Sequence, residues 1–264
     1  MFFRLLMLNS TKATLVLLLL TLPTQALANH TPGHTGGGGG GGTSPLEERV
    51  IELENLVEAL LDRLNGVTRG VDPNTGKDTI TFSGINVQIV NGSGLTNVTD
   101  GAGNLIIGYN VLRGSADDRS GSHMLVIGDR NNYTVNSFGG MVIGRDNQTS
   151  AAFASVSGGS ANIASGPSSS VSGGSQNTAS ASGASVSGGD LNTASGDASS
   201  ASGGHSNRAM TNFASISGGI NNVAKGTYSS VSGGIYNTAT VTYQSDVNTV
   251  HAHIQNDLFK TPPC

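Results

Sequence analysis

The chain has 264 residues, 39 of them glycine, with no tryptophan and one cysteine; thirteen basic residues stand against seventeen acidic, a net charge of −4 with histidine neutral. So mild an acidity gives no electrostatic case for nucleic acid, and a single cysteine excludes an intrachain disulfide. Charged residues make up only 11%, which is not the highly charged composition that keeps a chain disordered.

Residues 1–28 read as a secretory leader. Arg4 and Lys12 give a positive start, Ala13 to Leu22 is apolar, and Ala26-Leu27-Ala28 is an A-x-A cleavage site. The apolar run is short for a membrane span, so no transmembrane segment is expected after cleavage near Asn29. Losing Arg4 and Lys12 leaves eleven basic against seventeen acidic residues, a net charge of −6. No cysteine follows the cleavage site to take a lipid. Residues 29–43, with His30, His34 and the run Gly36 to Gly42, are a flexible spacer; two histidines in a glycine tract do not make a metal site.

A punctuated helix is expected over 44–66, with Ser44 as N-cap, Pro45 at the first helical position, Glu47 closing a capping box and Gly66 as the stop. Leu46, Val50, Leu53, Val57, Leu60 and Leu64 are spaced 4, 3, 4, 3, 4, a heptad seam with Val, Val, Leu at a and Leu at d that predicts oligomerisation through these six residues. Ile51, Leu56 and Leu61 widen the apolar face, which favours more than two strands; an ordinary amphipathic helix packed on a core is the other reading. Residues 67–104 read as a β connector. Asp72-Pro73 and Asn74-Thr75-Gly76 form a turn, residues 79–90 alternate as two strands or one bulged strand, and 91–104 is loop.

Residues 105–244 carry a fifteen-residue repeat. SVSGG begins at Ser155 and recurs, with one-residue variants, at Ser170, Ser185, Ser200, Ser215 and Ser230. Asn falls at slot 8 of each copy (Asn162, Asn177, Asn192, Asn207, Asn222, Asn237) and Ala at slot 10. The period is too short for helical solenoid units, and Ser, Gly, Asn and Thr are poor helix formers, so each copy reads as one coil of a parallel β-solenoid. Strand alternation turns slot 2 inward: Val156, Val171, Val186, Ala201, Ile216 and Val231. The asparagines read as a stacked amide ladder or as turn formers.

Slot 12 alternates between Gly (166, 196, 226) and Ala181, Thr211 or Val241, and slot 14 is aromatic toward both ends, with Phe138 and Phe153 at one and Phe213, Tyr228 and Tyr243 at the other. Upstream, Gly140 to Gly144 lies one period before Ser155, with Val142 in the core column and Asn147 in the asparagine column; Leu125 to Gly128 precedes by sixteen, and Asn132 is expected in the asparagine column. Between Tyr109 and His123 an insertion with Arg113, Asp117, Asp118 and Arg119 is expected to be the most polar exposed loop and a contact site. In all, about nine coils at roughly 4.8 Å each give a rod of about 40 Å. Burying one Val per coil contributes about 1.5 to 3 kcal/mol, while fixing fifteen residues costs about 1 to 2 kcal/mol each. Ladder hydrogen bonds recover part, and an oligomer is expected to supply more.

Residues 245–264 form a tail. His251 and His253 lack a third metal ligand, and Cys264 could form only an intermolecular disulfide. No cofactor and no metal are expected, and no catalytic residue. A carbohydrate-active solenoid would need clustered carboxylates, and Asp190 and Asp197 occupy different slots of one copy.

Met141-Val142-Ile143-Gly144, with Ser155 to Gly166 following the same spacing, resembles the YadA-like head repeats of trimeric autotransporter adhesins, whose units have the form S-V-A-I-G followed by small and polar residues. The resemblance covers about Leu105 to Gln244, with Gly158 in place of the family's inward Ile. It implies a left-handed β-roll, a homotrimer on the bacterial surface or secreted from it, and a ligand on the extracellular matrix or a cell surface. In that family the coiled-coil stalk follows the head and leads to a membrane anchor of amphipathic strands, whereas here the heptads precede it and twenty residues follow Gln244. The expected function is structural and adhesive, not enzymatic. The alternatives are an ice-binding solenoid using the Ser-x-Ser rows and a fibre-type structural protein.

Overall fold

The computed structural model describes residues 44–115, 117–243 and 245–246. The stretch read as a leader, the glycine tract with its two histidines, and the tail with His251, His253 and Cys264 lie outside the described residues. The chain divides into two compact units at Val87 and Gln88.

In the first unit, helix α1 (Pro45–Arg63) opens on the capping box read from the sequence: Glu47 N donates to Ser44 Oγ at 3.3 Å and Ser44 N donates to Glu47 Oε2 at 2.7 Å. The helix ends earlier than expected, at Leu64, and Gly66 turns the chain with φ of 88°. A side chain there would meet Ser83 O at 2.7 Å. The connector is also corrected. Strands β1 (Val67–Val71) and β2 (Asp78–Phe82) form an antiparallel hairpin, Val67 opposite Phe82, around the turn at Asp72 to Lys77. Residues 85–90 form no strand. The hairpin's register puts Val67, Val71, Ile80 and Phe82 on one face and Thr68, Thr79 and Thr81 on the other.

The second unit is a parallel β-solenoid of about eight turns. Its two sheets run the length of the stack, one of ten strands and one of eight, and every strand pairs in parallel with the strand one turn on. Fewer turns are complete than the nine expected, because the first strand (Leu105–Ile107) and the last (Ser245–Asp246) each extend the ten-stranded sheet alone. In each regular turn slots 1 and 2 lie in the larger sheet, as in Ser155–Val156, and slots 9 and 10 in the smaller, as in Ile163–Ala164. Two-residue strands joined by Gly-rich corners are what fifteen residues per turn allow.

The core is one narrow column. Val142, Val156, Val171, Val186, Ala201, Ile216 and Val231 face Ala164, Ala179, Ala194, Ala209, Ala224 and Ala239 across it, all buried. Small residues on one side let the two sheets approach. Val186→Ala removes two buried methyls and leaves a void, so it should cost about 2 kcal/mol in chemical denaturation while leaving the stack intact; Ala201 already occupies the slot one turn on.

Two columns carry left-handed backbone in non-glycine residues. Slot 7 holds Ala161, Gln176, Leu191, Ser206, Asn221 and Tyr236 at φ of 54° to 60°, and slot 14 holds Phe153, Ser168, Ala198, Phe213, Tyr228 and Tyr243 at 51° to 62°. Each such residue costs about 1–2 kcal/mol. A ladder bond offsets it: Gln176 N donates to Ser160 O at 3.0 Å, and Ser168 N to Ala152 O at 2.9 Å.

The corner at slots 12 to 15 alternates with a period of two turns. Gly166, Gly196 and Gly226 are followed three residues on by buried Ser169, Ser199 and Ser229, whereas Ala181 and Thr211 are followed by Ala184 and Ala214. Where Gly stands, the next turn's carbonyl fills the place of its missing side chain: a Cβ on Gly166 would sit 2.0 Å from Ala181 O, and one on Gly226 2.1 Å from Val241 O. In two of these corners the serine bonds within its own turn, Gly166 N donating to Ser169 Oγ at 3.2 Å and Gly196 N to Ser199 Oγ at 3.1 Å; in the third, Gly226 N donates to Ala239 O at 3.3 Å and Ser229 Oγ is buried without a partner among the described residues.

Candidate interaction surfaces of the rod

The asparagine column is an internal fastening. Each amide is buried. In Asn177, Nδ2 donates to Gly173 O at 3.0 Å in its own turn and to Gly189 O at 2.9 Å in the next, and Oδ1 accepts the backbone N–H of Asn192 at 2.9 Å. The pattern holds at Asn147, Asn162, Asn192, Asn207 and Asn222; at Asn237, Nδ2 donates to Gly233 O. Both readings of the column thus merge, since the side chain closes its own corner and binds the next.

The register of the early turns differs from that expected. Met141 pairs with Ser155 and Val142 with Val156, fourteen apart, yet Arg145 bridges Ser160, fifteen apart. Ile143 takes the place of Ser157 and Gly158 together: its carbonyl accepts from Asn147 Nδ2 at 2.7 Å, as that of Gly158 does from Asn162 Nδ2 at 3.1 Å. The inward residue of that turn is Val142, not Ile143, which is half-buried. One turn earlier, Asn131 rather than Asn132 occupies the ladder, donating to Ile127 O and Gly144 O and accepting from Asn147 N.

Outward from the ten-stranded sheet, six successive turns present serine at both slots 1 and 3, from Ser155 and Ser157 to Ser230 and Ser232. Strand geometry sets these hydroxyl rows roughly 4.8 Å apart along the rod and about 6.6 Å apart across it. Ser157 Oγ reaches the Met141 sulfur at 3.7 Å and Ser230 Oγ the Ser245 hydroxyl at 3.2 Å; among the described residues the hydroxyls between them have no partner in the chain. The two rows are uncharged and free to bond outward.

Aromatic residues mark one corner. Phe213, Tyr228 and Tyr243 stack with centroids 4.7 and 5.0 Å apart and planes within 4°. At the other end Phe138 and Phe153 meet edge-on at 71°. The difference is a register effect: Gly139, not Phe138, holds slot 14 with φ of 67°, and Phe153 N bonds to Phe138 O from the slot beside it.

No family model matches the chain, and no curated protein is similar to it.

The loop expected to be exposed turns its charges inward. The side chains of Asp117, Arg119 and Arg113 are 7%, 13% and 25% exposed. Arg113 pairs with Asp117 at 3.2 Å and donates to Asp146 O at 3.0 Å, and Arg119 donates to the carbonyls of Asn110 and Val111. Asp118 accepts from Ser120 N at 3.0 Å and Val135 N at 3.1 Å. Their chemistry is spent on holding the insertion to the first full turns. Sequence reading missed the group beside it, where Arg130 and Arg145 flank Asp146 at 3.0 and 3.3 Å; the Arg130 contact is close enough for an ion pair without the alignment of a hydrogen bond.

Both aspartates keep their carboxyls below the ordinary value of 3.8: burial pushes each up, but the hydrogen bonds from Arg113 at Asp117, and from Ser120 and Val135 at Asp118, outweigh it. A depressed folded pKa stabilises above the unfolded value and stops doing so as pH falls through the folded one. The insertion should therefore loosen below about pH 4, read as faster hydrogen exchange at Ser120 and Val135 while the Asn177 turn stays protected.

The seam residues Leu46, Leu53, Leu60 and Leu64 are exposed and Val50 and Val57 half-exposed; no residue of the described first unit is buried. Among the described residues no group of three His, Cys, Asp or Glu could hold a metal, and no helix is long and apolar enough to cross a membrane.

Proposed function

We propose that this is a secreted or cell-surface structural protein, a homotrimer whose rods adhere through their sides to an extracellular matrix or cell surface, without catalysis. The observation that carries this reading is the serine face. It is long, regular and free to hydrogen-bond, which suits many weak contacts along a surface better than one small ligand. The likeness of Met141-Val142-Ile143-Gly144 to YadA-like head repeats supports it, as does the mixture of fourteen- and fifteen-residue turns at Met141 to Ser155 and beyond. The secretory reading of residues 1–28 supports export.

The test is retention of purified chain on matrix-coated and bare surfaces under flow, against a variant with Ser172→Glu, Ser187→Glu and Ser202→Glu. Retention that the three glutamates abolish is expected, with the β-rich circular dichroism spectrum kept and the melting temperature lowered by the repulsion of the stacked carboxylates. No retention on any surface, or retention indifferent to the serine face, would sink the reading. The same hydroxyl lattice favours one other: a regularly repeating face could order water, and measurable thermal hysteresis would move the assignment to an ice-binding solenoid.

A further inference from the structure

We infer that helix α1 associates with other copies of this chain in parallel and in register, and that residues Arg49, Glu54, Leu56 and Leu61 select that arrangement. This deepens the trimer reading above by saying how the copies meet.

The described residues of the first unit form no core of their own. Its helix seam is uncovered, and its hairpin leaves Val71, Ile80 and Phe82 each more than half exposed. A nineteen-residue helix and a lone two-stranded hairpin are each marginal in water. The partner must be present wherever the chain folds, and a second copy always is. The strict 4, 3, 4, 3, 4 spacing is itself matched to an identical helix. The caps frame the seam as well: Ser44 starts the helix just before Leu46, and Leu64, its last member, is the C-cap.

Orientation follows from the flanks. With Val50 and Val57 at a, position g holds Arg49, Leu56 and Arg63, and position e holds Glu47, Glu54 and Leu61. In a parallel, in-register pair, g of one helix meets e of the next heptad in its neighbour. That places Arg49 against Glu54 and Leu56 against Leu61, charge on opposite charge and apolar on apolar. An antiparallel pair sets g on g and e on e, so arginine meets arginine and glutamate meets glutamate. None of Arg49, Glu54 and Arg63 has an ion-pair partner within the described chain, whereas Arg69 further on is paired with Asp78.

The experiment uses the full chain after leader removal, with Cys264→Ser so that added thiols are unique. Sedimentation equilibrium should show an oligomer at micromolar concentration, weakened roughly tenfold or more by R49E or by E54R and restored to within a few-fold by the double swap R49E/E54R. Separately, Leu46→Cys and Arg63→Cys chains treated with a short bismaleimide should each cross-link to their own kind. The two positions lie roughly 25 Å apart along the helix, so an antiparallel pair would instead join only a mixture of the two. Monomeric mass, cross-linking confined to the mixture, or a double swap no better than the singles would overturn the inference. A parallel oligomer that adheres to nothing leaves it standing and removes only the adhesive reading.

Discussion

Gly196→Ala should break the rod at its middle, lowering stability by more than 4 kcal/mol or splitting the melt into two transitions, whereas Gly188→Ala, eight residues away, should change it by less than about 1 kcal/mol. The two glycines differ in what surrounds them. A Cβ on Gly196 would lie 1.9 Å from Thr211 O and 2.0 Å from Thr211 C, backbone atoms that cannot swing aside. On Gly188 it would meet nothing within 4 Å. Because each turn is held only by its neighbours, a turn that cannot seat unlinks the two halves, which then unfold independently. Calorimetry of the pair checks this. Equal losses at both positions would show that glycine is needed there for backbone freedom and not for room.

The second large effect belongs to the amide ladder. Asn192 donates to Gly188 O and Gly204 O, both at 2.9 Å, and accepts the N–H of Asn207, also at 2.9 Å. Asn192→Ala strands the Gly188 carbonyl and the Asn207 N–H, at about 1–3 kcal/mol each when no water reaches them, while Gly204 O keeps the N–H of Asp190 at 3.0 Å, so a loss of about 2 kcal/mol or more is expected. Asn192→Asp keeps the shape but removes both donors and buries a charge, so it should be at least as harmful near neutral pH and partly relieved in acid, where the carboxyl regains a proton. Asn237, in the last full turn and 8% exposed, should tolerate alanine better. An Asn192→Asp variant as stable as the parent at pH 7 would mean that the column is not fastened through its donors.

What the sequence made legible is what depends on period. Strand alternation gave the slot-2 valines their inward place, and recurrence at one spacing put the asparagines in a single column. The capping box could be read because Ser44 and Glu47 are three residues apart, a local relation. Register was harder, because a turn can lose a residue without losing its corner: Ile143 does in one residue what Ser157 and Gly158 do in two, and counting fifteens cannot see that. The same slip sets Phe138 one slot away from the aromatic column, and the turn before it is one residue longer than fifteen, which puts Asn131 and not Asn132 on the ladder. Val67–Val71 escaped notice because Arg69 and Gly70 interrupt its alternation and its partner strand lies beyond a turn. The insertion was judged by its charge, which says that Arg113, Asp117, Asp118 and Arg119 are polar but not that they answer one another. Nothing local marks the left-handed positions, since Leu191, Phe213 and Tyr236 are residues that seldom adopt them alone.

The alternation of corners bears on how such a rod could change its length. Glycine with serine in one turn fits alanine or threonine with alanine in the next, so the unit that repeats without altering any neighbour is thirty residues, a pair of turns. Copying or losing a pair in the gene leaves every junction as it was, while gaining or dropping a single turn sets like against like and mismatches one seam. Descendants of this rod should therefore grow and shrink in even steps.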